Sequence, residues 1–158
     1  MPASRYHQTC VTHRNLDGDA SGNRCSLTRL DGDRFGGREI ETGGDSFLVV
    51  FDGAERAIRC ALALVEALAA IRIPIRVGIH SGEVVSSGDQ VRGVAVHTAA
   101  RILAEAGAGE VLVSGSTRDL AEGATGLTFD SRGSYALQGL EREHELFAAG
   151  SSAEAAPA

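Results

Sequence analysis

Three residues have side-chain types and neighbours that could do chemistry. Asp45 follows two glycines at the start of an apolar run, where a carboxylate could hold a hard cation such as Mg²⁺. The alternative is an ordinary turn residue. His97 and Arg101 stand four positions apart in a segment with helical spacing, so they share one helix face. Arginine can clamp a phosphate and histidine can donate or titrate, the alternative being a solvated arginine and a structural histidine.

Two further groupings match metal sites less well. The segment Asp17–Gly22 has the oxygen donors of the first half of a calcium loop, but Thr28 stands where that loop needs glutamate. Four residues could be drawn as a zinc site, although no second ligand pair has matching spacing: His7, Cys10, His13 and Cys25. We interpret both groupings as polar loop residues. His80 is interpreted as structural, because no G-x-S-x-G nucleophile motif accompanies it.

The composition excludes several classes of function. The chain has 158 residues and a net charge of −6, and its 15 Lys and Arg residues are all arginine. There is therefore no P-loop lysine and no Schiff-base lysine, and an acidic chain without a basic run is not expected to bind nucleic acid. Three widely spaced cysteines indicate a reducing compartment. With no signal-peptide pattern and no apolar run long enough for a membrane span, we expect a cytoplasmic protein.

Alternating strand and helix patterns from about residue 34 to 148 predict the elements that position these residues. Two helices among mostly antiparallel strands indicate an α+β fold with a ferredoxin-like βαββαβ sheet and helices on one face. Residues 1–33 carry no assignable element and are expected to be irregular, and residues 149–158 are expected to form a flexible tail. The predicted elements are strands 38–42 and 45–51, helix 54–71, a hairpin of strands 73–79 and 83–86, helix 94–106, strand 110–114, helix 117–122 capped by Ser116, and strands 127–130, 134–138 and 144–148.

Four segments resemble the class III adenylate and guanylate cyclase catalytic domain in order and spacing: GREIETGGDSFL (37–48), RVGIHSGEV (76–84), GVAVHTAAR (93–101) and GEVLVS (109–114). The resemblance covers about residues 34–148. It implies cyclisation of a purine nucleoside triphosphate, ATP or GTP, to a 3′,5′-cyclic monophosphate for intracellular signalling. It also implies Mg²⁺ or Mn²⁺ held by two aspartates, and a site formed between two domains, in a homodimer or with another cyclase domain.

The resemblance assigns roles to five residues. Asp45 falls on the second metal-binding aspartate, and Arg101 falls on the arginine that serves the transition state. His97 stands where the family has asparagine. Glu41 and Gln90 fall on the two positions that select the purine, where Glu41 favours GTP and Gln90 is neither of the usual choices.

The sequence departs from the family in two further places. Nothing in it matches the first strand with its metal-binding aspartate, so this strand is expected to be missing and the metal site weakened. The region where the family has a lysine that holds the terminal phosphates reads Leu137-Gln138-Gly139-Leu140 here and contains no cation. Since lost electrostatic groups each lower the rate by orders of magnitude, we expect the isolated chain to be weakly active or inactive. The alternative is a non-catalytic cyclase homologue that acts as a dimerisation or nucleotide-sensing partner. The nucleotide, the partner and any regulator stay open.

Overall fold

A computed structural model describes residues 4–15, 36–40, 46–87 and 90–151. Within these residues the chain forms eight strands and three helices. In chain order they are β1 (Ser4–Asn15), β2 (Arg38–Ile40), β3 (Ser46–Phe51), α1 (Ala54–Ala70), β4 (Ile75–Ser87), β5 (Gln90–Arg92), α2 (Val94–Glu105), β6 (Val111–Ser114), α3 (Gly115–Leu120), β7 (Leu127–Ala136) and β8 (Glu143–Ser151).

All eight strands belong to one sheet with the order β2-β3-β1-β4-β6-β8-β7, and β5 pairs with β4 beside this path. β1 lies inside the sheet and pairs antiparallel with both β3 and β4. The order β2-β3-β1-β4, with α1 between β3 and β4 in the chain, is that of a ferredoxin-like sheet. β4 and β6 are parallel and are joined by α2. The prediction of a ferredoxin-like α+β fold is confirmed.

The expectation that the first strand is missing is wrong, because β1 occupies that position. Its 12 residues pair with β4 from Ser4↔Ser86 to Asn15↔Ile75. The sequence of β1, SRYHQTCVTHRN, has no apolar run and no regular alternation, so its strand conformation comes from its two sheet neighbours rather than from local propensity. The rest of the segment expected to be irregular, residues 1–3 and 16–33, lies outside the described residues.

Several predicted boundaries are also corrected. β4 runs through Ser81–Gly82 instead of turning there, because β1 pairs with it along its whole length. β7 is one strand with a bulge rather than two strands. Ser114, not Ser116, is the N-cap of α3 and accepts a hydrogen bond from the Thr117 N–H. β8 extends to Ser151, into the segment expected to be a flexible tail, because it pairs with β7 up to that residue.

The two long helices pack on opposite faces of the sheet, which corrects the expectation that the helices share one face. Side chains alternate between the two faces along a strand, so the partners of each helix identify its face. The α1 cluster includes Val49, Phe51, Val77 and Ile79, and the α2 clusters include Leu48, Val50, Val84 and Leu112. Helical periodicity indicates which side of a helix is buried, but it does not indicate which sheet face that side meets.

Glycine allows α2 to lie directly on the backbone of β4. A Cβ placed on Gly78 would lie 2.6 Å from Ala99 O and closer still to the backbone nitrogen of Leu103. A Cβ placed on Gly82 would lie 3.1 Å from the Cβ of Ala95. These two glycines therefore set the distance between α2 and the sheet, and with it the position of every side chain on the outer face of α2.

Candidate functional site

α2 carries two of the residues predicted to do chemistry, and both are exposed. His97 and Arg101 lie on its outer face, while the opposite stripe, which includes Ala95, Ala99 and Ile102, is buried against the sheet. The spacing of four residues therefore brings the two side chains to one face, as predicted.

A shallow pocket of about 200 Å³ opens beside this face. Arg101 Nη1 lies 3.5 Å from Gln138 Oε1, at the outer limit of a hydrogen bond. Gln138 sits in the connection between β7 and β8, where the Leu140 N–H donates to Leu137 O at 3.1 Å. This turn brings Gln138 to Arg101, a proximity that the sequence does not reveal. The pocket is lined by Val94, His97, Arg101, Gln138, Gly139 and Leu140.

The guanidinium group of Arg101 is available for an anion. In the described part of the chain it has no carboxylate partner, and its contact with Gln138 is to a neutral amide oxygen. An exposed guanidinium offers five N–H donors, which suits the oxygens of a phosphate group. The His97 imidazole, one helical turn away, supplies a second hydrogen-bonding group to the same pocket.

The side chains of the three remaining predicted site residues are not described. Asp45 and Glu41 lie outside the described residues. Gln90 begins β5 and pairs with Ser87 of β4, and only its backbone is described. Among residues 4–15, 36–40, 46–87 and 90–151 there is no group of three or more His, Cys, Asp or Glu residues that could hold a metal ion.

The described strand next to β3 carries no carboxylate for a site of two metal ions held by two aspartates. Asp45 directly precedes β3, and the first residue of β3 pairs with Arg14 near the end of β1. β1 is therefore the strand beside the start of β3, and its sequence contains no aspartate or glutamate. Asp17 and Asp19, the first acidic residues after β1 in the chain, lie outside the described residues.

The two other metal groupings receive no support. The segment Asp17–Gly22 and Cys25 lie outside the described residues. The other three residues considered for zinc lie on β1, a strand and not the expected loop: His7, Cys10 and His13. No helix in the described portion of the chain is long and apolar enough to cross a membrane.

A connected series of hydrogen-bonded polar side chains lies inside the fold, and the sequence patterns did not predict it. Thr9 Oγ1 lies 2.8 Å from Ser81 Oγ, which lies 3.0 Å from Thr117 Oγ1. Thr117 Oγ1 is 3.2 Å from Ser114 Oγ, and Ser114 Oγ is 2.8 Å from His80 Nδ1. The structural role predicted for His80 agrees with this bond. The only sequence signal is a cluster of Ser and Thr near strand ends, which is equally typical of surface loops.

Comparison with known proteins places this geometry in context. A model of the "Adenylate and Guanylate cyclase catalytic domain" family matches residues 27–149. A protein of Rhizobium meliloti (strain 1021) that carries the name of a candidate adenylate cyclase is 33% identical over 114 residues, which is 67% of this chain. The chain spans only 19% of the length of that relative.

Solved cyclase structures share the fold. The adenylyl cyclase CyaB from P. aeruginosa superposes with a TM-score of 0.87 over 99% of this chain and 100% of the other, at 18% identity. The guanylate cyclase domain of RhGC from Catenaria anguillulae, solved in complex with GTP, gives a TM-score of 0.80 over 94% of this chain and 98% of the other, at 22% identity. Both alignments extend over nearly the whole chain.

Proposed function

Because the chain belongs to the adenylate and guanylate cyclase catalytic domain family, we propose that it takes part in converting a purine nucleoside triphosphate, ATP or GTP, to a 3′,5′-cyclic monophosphate. One observation carries the proposal. His97 and Arg101 stand together on the exposed face of α2, beside a pocket and next to Gln138. In this reaction the 3′-hydroxyl releases its proton to solvent as its oxygen forms a bond to the α-phosphorus, the bond from that phosphorus to the bridging oxygen breaks, and pyrophosphate leaves with the electron pair.

The residues of α2 stabilise the negative charge that develops on the phosphate during this displacement. Arg101 donates hydrogen bonds to the phosphate oxygens as negative charge builds on them. His97 donates to the same group from one turn away. Gln138 accepts from Arg101 through Oε1 and keeps its amide N–H₂ for a second phosphate oxygen. Gln138 is neutral, so it can donate to a phosphate oxygen as a lysine would but adds no positive charge.

We propose Mg²⁺ or Mn²⁺ as the cofactor, with Asp45 as the ligand that this chain supplies. A bound divalent ion would polarise the phosphate and favour the ionised 3′-hydroxyl. β1 carries no carboxylate, so this described strand supplies no second aspartate for such a site.

The partner that would supply the carboxylate missing from β1 is a second cyclase domain with a complete set of metal-binding carboxylates. In a pair of identical chains, both interfacial sites would lack the β1 carboxylate. In a mixed pair, the other domain supplies the carboxylates and this chain supplies His97, Arg101 and Gln138. We therefore propose that the isolated chain is weakly active or inactive and that a mixed dimer in the cytoplasm is the active form. Glu41 and Gln90 are proposed to contact the purine, with Glu41 favouring GTP.

A second candidate function is a non-catalytic partner that dimerises or binds nucleotide without turning it over. The observation in its favour is the double loss of charged groups, because β1 has no carboxylate and Gln138 replaces a cation. Nucleotide binding without product in every pairing would favour this candidate.

A product assay separates the candidates. The purified chain is incubated with Mn²⁺ and either ATP or GTP, alone and with an active cyclase domain whose own transition-state arginine has been removed, and cyclic nucleotide is measured. We expect product chiefly in the mixture, and Arg101→Ala should lower it by about 100-fold. Arg56→Ala is the matched control, since Arg56 is exposed on α1, on the opposite face of the sheet. Equal product from both variants would refute the assignment of Arg101.

A further inference from the structure

Most of the buried polar side chains in the described residues belong to one connected group. Thr9, Ser81, Ser114 and Thr117 are each 3% exposed or less, and they form the chain of hydrogen bonds described above. Buried hydroxyls need mutual hydrogen bonds to offset lost hydration, so such a group favours one arrangement of the side chains over others. It joins β1, β4, the end of β6 and the first turn of α3.

His80 is the point at which this group reaches a pocket. Its Nδ1 lies 2.8 Å from Ser114 Oγ, and Ser114 is fixed in turn as the N-cap of α3. The ring is partly exposed and lines a pocket of about 330 Å³ together with Gly93, Val94 and Ala95 at the start of α2. The hydrogen bond fixes the rotation of the imidazole, so its opposite edge has a defined place beside α2.

The start of α2 depends on β4 for its position. Its N-cap is Gly93, which offers no side chain to cap the helix. A Cβ placed on Gly82 would lie 3.1 Å from the Cβ of Ala95 and 3.5 Å from His80 Nε2. The methyl group of Ala95 and the edge of the His80 ring therefore flank the space left by that glycine. A change in the ring would therefore act first on Val94 and Ala95, in the first turn of α2, which also contains His97.

We propose that His80 is a positioning residue for the reaction assigned to α2: locked by Ser114, its imidazole fixes the first turn of the helix that presents His97 and Arg101. The inference rests on the proposed function. His80 itself touches no substrate in this account. An aliphatic or phenyl group would fill the same volume without the hydrogen bond to Ser114, so the distinctive contribution of histidine is orientation rather than packing.

Three variants test this, in the mixture with an arginine-deficient cyclase domain. His80→Phe keeps a ring but removes the bond to Ser114. His80→Asn retains an amide at the place of Nδ1. We expect His80→Phe to lower kcat by about tenfold with KM changed less than about twofold, and His80→Asn to recover most of the rate. His144→Phe is the control, because His144 meets the His80 ring edge-on, with centroids 6.0 Å apart, and lines no part of the α2 pocket.

The proposal is overturned if His80→Phe and His80→Asn lose the rate equally, if the loss is in KM alone, or if His144→Phe loses as much. If no mixture of the wild-type chain with a cyclase domain yields product, the proposed function fails. Amide NMR spectra of the isolated chain then test the positioning role of His80 separately. His80→Phe should then shift the amide signals of residues 94–101, and His80→Asn should leave them near their wild-type positions. Unshifted signals in His80→Phe would overturn the positioning role.

Discussion

Gly78 is the position at which one added methyl group should destabilise the fold most. At Gly78, β4 crosses beneath α2. A Cβ at this position would lie 2.6 Å from Ala99 O, which is about 0.8 Å shorter than the 3.4 Å at which ordinary contact begins. It would lie closer still to the backbone nitrogen of Leu103. Both atoms belong to the helix backbone, so no flexible side chain can move aside. In Gly78→Ala, α2 must therefore lift from the sheet or tilt.

The expected loss of stability follows from two opposing effects. Overpacking of this kind costs about 3 kcal/mol. Replacing a strand glycine by alanine returns about 0.5–1 kcal/mol, because the unfolded chain loses conformational freedom. The net loss in the free energy of unfolding is roughly 2 kcal/mol, which for a domain of this size lowers Tm by about 4–8 °C.

Urea unfolding followed by far-UV circular dichroism measures this directly. The midpoint should fall in Gly78→Ala while the m-value stays unchanged. The control is Gly107→Ala, since a Cβ at Gly107 would meet no atom within 4 Å, and its effect should stay within about 0.5 kcal/mol. A Gly78→Ala midpoint equal to that of Gly107→Ala would refute the description of α2 as resting on the backbone of β4.

Three further substitutions test the interior and the surface by the same unfolding measurement. Thr117→Val should lower the free energy of unfolding by about 2 kcal/mol, because it removes the hydroxyl between Ser81 and Ser114; an unchanged midpoint would contradict the buried network. Leu146→Ala should cost about 2–5 kcal/mol, since Leu146 is fully buried, and a loss below about 1 kcal/mol would argue against that packing. Arg132→Ala, which breaks the 3.1 Å ion pair between exposed Arg132 and partly buried Glu110, should stay within about 1 kcal/mol; a larger loss would mean that the pair is more than a surface contact.

The helices were predictable because their buried stripes repeat with helical spacing. α1 and α2 begin where predicted, at residues 54 and 94, and each ends one residue early. β1 was not predictable from its own residues, because a polar strand is stabilised only once its neighbours pair with it on both sides. Because β1 was missed, the sequence also predicted a turn at the Ser-Gly pair of β4. Without its partner strand, nothing indicated that β4 continues through that pair.

The candidate site was partly predictable for the same physical reason. Contacts within a helix follow from spacing, so the shared face of His97 and Arg101 could be inferred. The approach of Gln138 to Arg101 joins residues 37 positions apart and depends on the turn between β7 and β8. The bond between His80 and Ser114 depends on the parallel pairing of β4 with β6. Such contacts arise from the sheet topology, which residue patterns do not specify.

We propose above all that this chain supplies the α2 half of a cyclase site, while its strand β1 carries no metal-binding carboxylate. The most direct measurement mixes the chain with two variants of an active cyclase domain, one without its transition-state arginine and one without both metal-binding aspartates, and compares the cyclic nucleotide formed with Mn²⁺. We expect product with the arginine-deficient variant and essentially none with the aspartate-deficient variant. Product with the aspartate-deficient variant, or full activity of the chain alone, would contradict this proposal.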